Sequence, residues 1–358
     1  MKIGNIDKEI LSNVRKGCVI PAMPLALDGN RIFDPICQRS LARYYIDAGA
    51  GGIAVGVHST QFEIRDPEIG LFETVLSKVS DFIDEWSEKR EKKIFKVSGI
   101  CGKTPQALKE TAFVLSKGYH AALLSLSALS NSSEDEMIEH VKAVANEIPV
   151  IGFYLQPSVG GCALPYSFWR RFAEIENVIA IKMAPFNRYQ TFDVVRAVCD
   201  AGKESDITLY TGNDDNILID LLTEYKVATE KGTKKIRIKG GLLGHWCVWT
   251  QKAVSLLSEV HSVISEGRAI PSEMLTRAAE ITDSNAAFFD PAHAFAGCIP
   301  GIHEILRRQG LIKGTWCLNP KEVLSPGQSE EIDRVYRSYP HLHDDDFVKS
   351  YLNEWGRD

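Results

Sequence analysis

Lys182, at the end of the apolar run Val178-Ile179-Ala180-Ile181, is the residue of this chain best suited to nucleophilic chemistry. An ammonium carried by a buried strand is costly to desolvate, and desolvation favours the neutral amine. The neutral amine is the form that attacks a carbonyl to give an imine. At an unperturbed pKa only about one lysine in 2,500 is neutral at pH 7, so the surroundings must supply the shift. The competing reading is a lysine whose stem follows the strand while its head reaches water. Tyr154 lies near the end of the preceding apolar run and offers a phenol able to donate and accept a proton. A strand-end tyrosine also serves as plain packing with its hydroxyl at a rim. Two such residues on neighbouring strands, both facing one opening, favour the chemical reading.

Strands must carry these side chains, and the sequence supplies eight. Short apolar or β-branched runs occur at 18–23, 52–57, 94–98, 121–126, 150–155, 178–183, 207–211 and 240–244. Amphipathic stretches at 69–89, 104–117, 133–146, 165–175 and 215–225 separate them. Thr104-Pro105 and Ser133 with Glu136 are helix-start signals. Continuously apolar strands alternating with helices imply a parallel sheet, and eight units favour an α/β fold of the closed (β/α)8 TIM-barrel type. No Gly-x-Gly-x-x-Gly follows an early strand and no P-loop is present. The expected layout is a barrel over 1–249, a helical extension over 250–338 packed on it, and a polar tail over 339–358. The basic run at 231–239, within a stretch 226–239 that precedes the eighth strand, reads as a solvated rim loop.

The chain has 358 residues, a formal charge of −6 and ordinary hydrophobic and charged fractions of 44% and 25%. This balance argues against nucleic-acid and anionic-membrane partners. Eight cysteines without Cys-x-x-Cys pairs suit a reducing cytoplasm, and no apolar stretch reaches membrane-spanning length. The run His341-Leu342-His343-Asp344-Asp345-Asp346 is a weak metal site, because consecutive residues do not converge on one ion. No metal and no organic cofactor are expected.

With these landmarks in place, the sequence resembles the dihydrodipicolinate synthase / N-acetylneuraminate lyase family of class I barrel aldolases, as a divergent member. The resemblance runs from about residue 17 to 333 through collinear motifs. Ile20-Pro21-Ala22-Met23-Pro24-Leu25 with Asp28-Gly29-Asn30 is similar to the opening strand and turn. The stretch Ala48 to Gly56 resembles the approach to the substrate-carboxylate loop. Phe153-Tyr154-Leu155-Gln156-Pro157 stands at the Tyr-Asn-x-Pro motif, Val178 to Lys182 at Ile-x-Gly-x-Lys, and Thr211-Gly212-Asn213-Asp214 at Ser-Gly-Asp-Asp. The resemblance implies that Lys182 forms an imine with a 2-oxo acid such as pyruvate and that Tyr154 relays protons. It further implies that Val57 and His58 hold the substrate carboxylate, that Gly212 and Leu243 line the pocket, and that the protein is a homo-oligomer, usually a tetramer.

Three departures limit what the likeness carries. The family's Gly-Thr-Thr-Gly-Glu loop is here Gly56-Val57-His58-Ser59-Thr60-Gln61. Val159 replaces an arginine that synthases use for a second carboxylate, and Ser127-Ala128-Leu129-Ser130 replaces a loop bearing an interface tyrosine. The expected activity is therefore an imine-forming lyase, aldolase or dehydratase other than a true dihydrodipicolinate synthase. The alternative is a non-catalytic relative that keeps the pocket as a ligand-binding or regulatory barrel. His58 suits an anion contact or acid/base role as well as a backbone-satisfied neutral imidazole. Arg65 is a further candidate anion anchor, and His245 with Trp246 reads mainly as packing.

Overall fold

The computed structural model describes residues 1–356 and has the (β/α)8 architecture. Its strands are β1 (Val19–Pro21), β2 (Gly52–Val55), β3 (Phe95–Ile100), β4 (Ala121–Leu124), β5 (Val150–Leu155), β6 (Val178–Ala184), β7 (Thr208–Thr211), β8 (Glu224–Thr229) and β9 (Gly232–Leu243). The chain forms two compact units, one of Met1–Cys18 with Phe95–Leu242 and one of Val19–Ile94 with Leu243–Asp358.

In the first unit β3, β4, β5, β6, β7 and β9 pair in parallel in that order. Every residue of β3 to β7 is buried, as expected for strands covered on both faces. The helices Thr104–Ser116 and Glu134–Glu147 start where the sequence predicts. Ser133 and Glu136 exchange the two hydrogen bonds of a capping box, and a proline sits in the first turn of the helix Thr104–Ser116. The helix-facing side of β5 is crowded: a Cβ on Gly152 would meet Phe172 at 2.7 Å and Trp169 at 3.1 Å. Below, Tyr210 donates its hydroxyl proton to the carbonyl of Val14 at 2.8 Å, tying β7 to the amino-terminal helix.

Two features of this unit decide the rest. Between β5 and β6 the register slips by one residue: Val150 pairs with Val178, but Ile151 pairs with Ala180 and Phe153 with Lys182. The stretch expected as a rim loop is instead a β-hairpin, β8 running antiparallel to the first half of β9 from Glu224↔Arg237 to Thr229↔Gly232. It extends from the amino-terminal end of the last barrel strand, away from the strand ends that carry chemistry. Its basic residues are partly paired: Glu224 contacts Lys235 and Arg237, and Lys234 contacts Glu204. Alternating charge and β-branched residues made a sheet edge look like a solvated loop.

In the second unit β1 and β2 lie side by side, with Met23 N–H donating to the Ala54 carbonyl at 2.8 Å. The helix Pro35–Ala48 is capped by Asp34, whose carboxylate accepts from the amides of Ile36 and Cys37. Five helices follow Leu243, at Thr250–Ser265, Ser272–Phe289, Cys298–Arg308, Gln328–Ser338 and Asp345–Trp355. The last falls in the stretch expected as a polar tail. Its Trp355 is fully buried and donates to Asp47 at 2.8 Å, while Asp344 accepts from Tyr44 at 2.8 Å and the amide of Gln251 at 3.0 Å. No disulfide joins the described cysteines, and no described helix is long and apolar enough to cross a membrane.

Candidate active site

Lys182 sits in β6, two residues before its carboxy-terminal end, and is 7% exposed. Directly opposed residues of parallel strands project to the same side, so Phe153 on β5 and Tyr210 on β7 share its face. The Phe153 ring lies 4.5 Å from the Lys182 ammonium, a cation–π contact. On the other side Gly212 makes room for the lysine stem: a Cβ there would lie 2.7 Å from Lys182 Cε and 2.8 Å from the Cβ of Ala184. Lys182 and Gly212 are thus brought together. The small residue is required by the lysine rather than by backbone conformation.

Tyr154 is carried to the opposite face. It pairs with Met183, its ring packs 5.3 Å from Trp169 of the helix Tyr166–Phe172, and its hydroxyl accepts from the Leu164 amide at 3.3 Å. Burial raises its phenol above the ordinary range, opposed by the bond from Leu164. The expectation that Tyr154 and Lys182 face one opening is corrected here. The one-residue slip at Val150/Ile151 makes Phe153, not Tyr154, the neighbour of Lys182 on the inner face.

Behind Gly212 lies a network the sequence reading missed. Asp220, on the short helix Ile217–Leu222, is 1% exposed. It accepts from Thr211 Oγ1 at 2.7 Å, Asn213 Nδ2 at 2.9 Å, Asn216 Nδ2 at 2.7 Å and Arg188 at 3.3 Å. Burial raises its carboxyl above the usual range, with the bonds from Asn213, Thr211 and Asn216 and the Arg188 charge acting the other way. A visible signal exists: a carboxylate inside Ile217-Leu218-Ile219-Asp220-Leu221-Leu222 must be buried and paired. Just past β4, the buried Ser125 donates to Ser127 at 3.1 Å, another hydroxyl at a strand end.

In the second unit Val57 is buried and His58 half-buried, in a one-turn helix that follows β2. Thr60 builds this turn. Its hydroxyl accepts from the amides of Gly56 at 3.0 Å and Val57 at 3.3 Å and donates to the Met23 carbonyl at 2.7 Å. Ser59 donates to the neighbouring Ala22 carbonyl. Leu243, fully buried, reaches the same strand end by accepting from the Ala22 amide at 3.4 Å. The Val57–Thr60 turn and Leu243 are therefore tied to Ala22 and Met23. Ser59 and Thr60 supply hydroxyls two positions later in the loop than the family pattern has them. The Arg65 guanidinium stacks 4.5 Å from the Phe72 ring. His245 is buried against Phe288, and burial pushes its imidazole down to about 4, so it is a neutral packing residue that meets Asn285 through Nδ1.

Among the described residues no group of three or more His, Cys, Asp or Glu side chains is arranged to hold a metal ion. What the first unit offers is a largely buried amine at a strand end, an aromatic face beside it and a glycine clearing its stem. Such a group can add to a carbonyl.

The pattern of the dihydrodipicolinate synthetase family matches residues 16–224. A 4-hydroxy-tetrahydrodipicolinate synthase of Desulforudis audaxviator is 28% identical over 210 residues, 58% of this chain and 66% of that protein. One from Archaeoglobus fulgidus is 27% identical over 223 residues, 62% of this chain and 66% of its own. The chain thus spans just under two thirds of these relatives. Among solved structures, the chloride-inhibited dihydrodipicolinate synthase of Acinetobacter baumannii complexed with pyruvate superposes with a TM-score of 0.72 at 17% identity, over 90% of this chain and 99% of that one. YagE, a prophage protein of that family from E. coli K12 in complex with pyruvate, gives 0.67 at 16% identity, over 90% and 97%. These likenesses show the barrel fold. With residues 16–224 matched, the chain belongs to the dihydrodipicolinate synthetase family.

Proposed function

We propose that this protein is an imine-forming lyase of the aldolase or dehydratase type, acting on pyruvate or another 2-oxo acid through Lys182. The observation that carries the reading is the largely buried Lys182 on the inner face of β6, between Phe153 and Gly212. In this reading the neutral amine adds to C2 of the oxo acid, and the carbinolamine loses water to give the imine. The imine withdraws electrons from C3, so a C3 proton or a C3–C4 bond can be lost to leave an enamine. Family likeness assigns the acid's carboxylate to the Val57–His58 turn, and the backbone there is braced by Thr60. The same likeness favours a homo-oligomer. Tyr154 fits the proton-relay role less well than expected, since its phenol faces Trp169 and serves as acceptor for Leu164.

The test is reductive trapping. Incubated with pyruvate and borohydride, the wild-type protein should gain one reduced pyruvyl adduct by intact mass, and Lys182→Arg should gain none. Absence of an adduct with pyruvate and with a panel of 2-oxo acids would overturn the catalytic reading. It would favour a pocket-bearing, non-catalytic relative, a reading supported by the altered Val57-His58 loop and the outward-facing Tyr154.

A further inference from the structure

Asp220 stands about one helical turn and a loop beyond the strand-end glycine, and three of its hydrogen-bond partners, Thr211, Asn213 and Asn216, come from the turn that holds that glycine. One carboxylate oxygen accepts from both Thr211 and Asn213, the residues on either side of Gly212. The other accepts from Asn216 and Arg188. Asn213 in turn accepts the amide of Phe186, just past the end of β6, at 3.1 Å, and donates to Thr191 at 3.2 Å. Gly212 N–H donates to the Met183 carbonyl at 2.7 Å. The turn after β7 and the exit of β6 are thereby locked to one buried anion. The backbone held between them is the surface against which the Lys182 stem packs. The family's turn has an aspartate where this chain has Asn213, so here the carboxylate enters from the following helix.

We propose that Asp220 is a positioning residue for Lys182: it clamps Gly212 from both sides and so fixes the direction in which the lysine amine presents itself. The proposal rests on Lys182 being the imine-forming group. Asp220→Asn keeps the shape but turns one acceptor oxygen into an amide NH2 facing two donors, which forces the turn to open. A mispositioned amine and a merely destabilised fold differ in one readout. Destabilisation lowers the fraction of chains that trap pyruvate, whereas mispositioning lowers the rate constant at which all of them do.

The experiment follows borohydride trapping of pyruvate by intact mass over time, in wild type, Asp220→Asn, Thr211→Val and the exchanged pair Asn213→Asp/Asp220→Asn. Thr211→Val removes only one of the clamp's bonds and covers the case in which Asp220→Asn does not fold. The expected result is full final labelling with a rate constant at least tenfold lower in Asp220→Asn, a smaller fall in Thr211→Val, and partial recovery in the exchanged pair. If wild type traps at Lys182 and both single variants trap as fast, or lose amplitude alone, the positioning role is overturned while the imine stands. If wild type traps nothing, the imine reading fails and takes the positioning role with it.

Discussion

The two faces of the β5–β6 pair carry similar chemistry to different ends. On the inner face, Phe153 and Gly212 flank Lys182, one offering an aromatic surface and the other an absence of side chain. On the helix-facing side, Tyr154 lies against Trp169, and a Cβ on Gly152 would strike Phe172. Both faces hold a residue able to exchange a proton and both hold a glycine. Only the inner one holds an amine. A family motif fixes residue types along a strand, whereas the partner strand fixes which side they work from.

Three substitutions would break or sharpen this contrast. The largest effect is expected from Gly212→Ala. Its methyl meets the Lys182 stem at 2.7 Å and Ala184 at 2.8 Å, with no flexible alternative on the Ala184 side. Overpacking of that kind costs about 1–3 kcal/mol, roughly five- to 150-fold in the trapping rate if it is expressed in lysine placement. A rate equal to wild type would mean that Gly212 does not confine the lysine. Phe153→Leu should act more mildly. The ring favours the charged ammonium by about 0.5–2 kcal/mol, so its loss should move the rise of the trapping rate toward lower pH by about 0.4 to 1.5 units. A shift toward higher pH would contradict the contact. The smallest effect is expected from Tyr154→Phe, which removes one acceptor from the Leu164 amide at a cost of about 1 kcal/mol. Pyruvate trapping and C3 proton exchange, followed by NMR in heavy water, should fall less than tenfold. A fall of roughly two to four decades, the scale of a lost acid/base, would return the phenol to the role of proton relay.

Much of this molecule is written along the chain. The strand that ends near Lys182, the capping box at Ser133 and the glycine after Thr211 were all legible, because each rests on local periodicity or on neighbours a few residues apart. The hairpin of β8 and β9 was not, since its charged, alternating sequence suits an exposed sheet edge as well as a loop. The burial of Asp344 and Trp355 was equally out of reach, as their partners Tyr44 and Asp47 lie some three hundred positions away.

The sequence by itself determined that one lysine would end a buried strand in an eight-strand barrel of this family. Tertiary structure alone decided its company. A strand's side chains alternate with a period of two, so a single slipped residue between β5 and β6 turned Tyr154 outward and brought Phe153 inward. No motif spacing records that slip, because it belongs to hydrogen bonds between strands rather than to either strand. The same holds for Asp220: its carboxylate stands out in an apolar run, but only the folded turn shows that it grips both sides of Gly212.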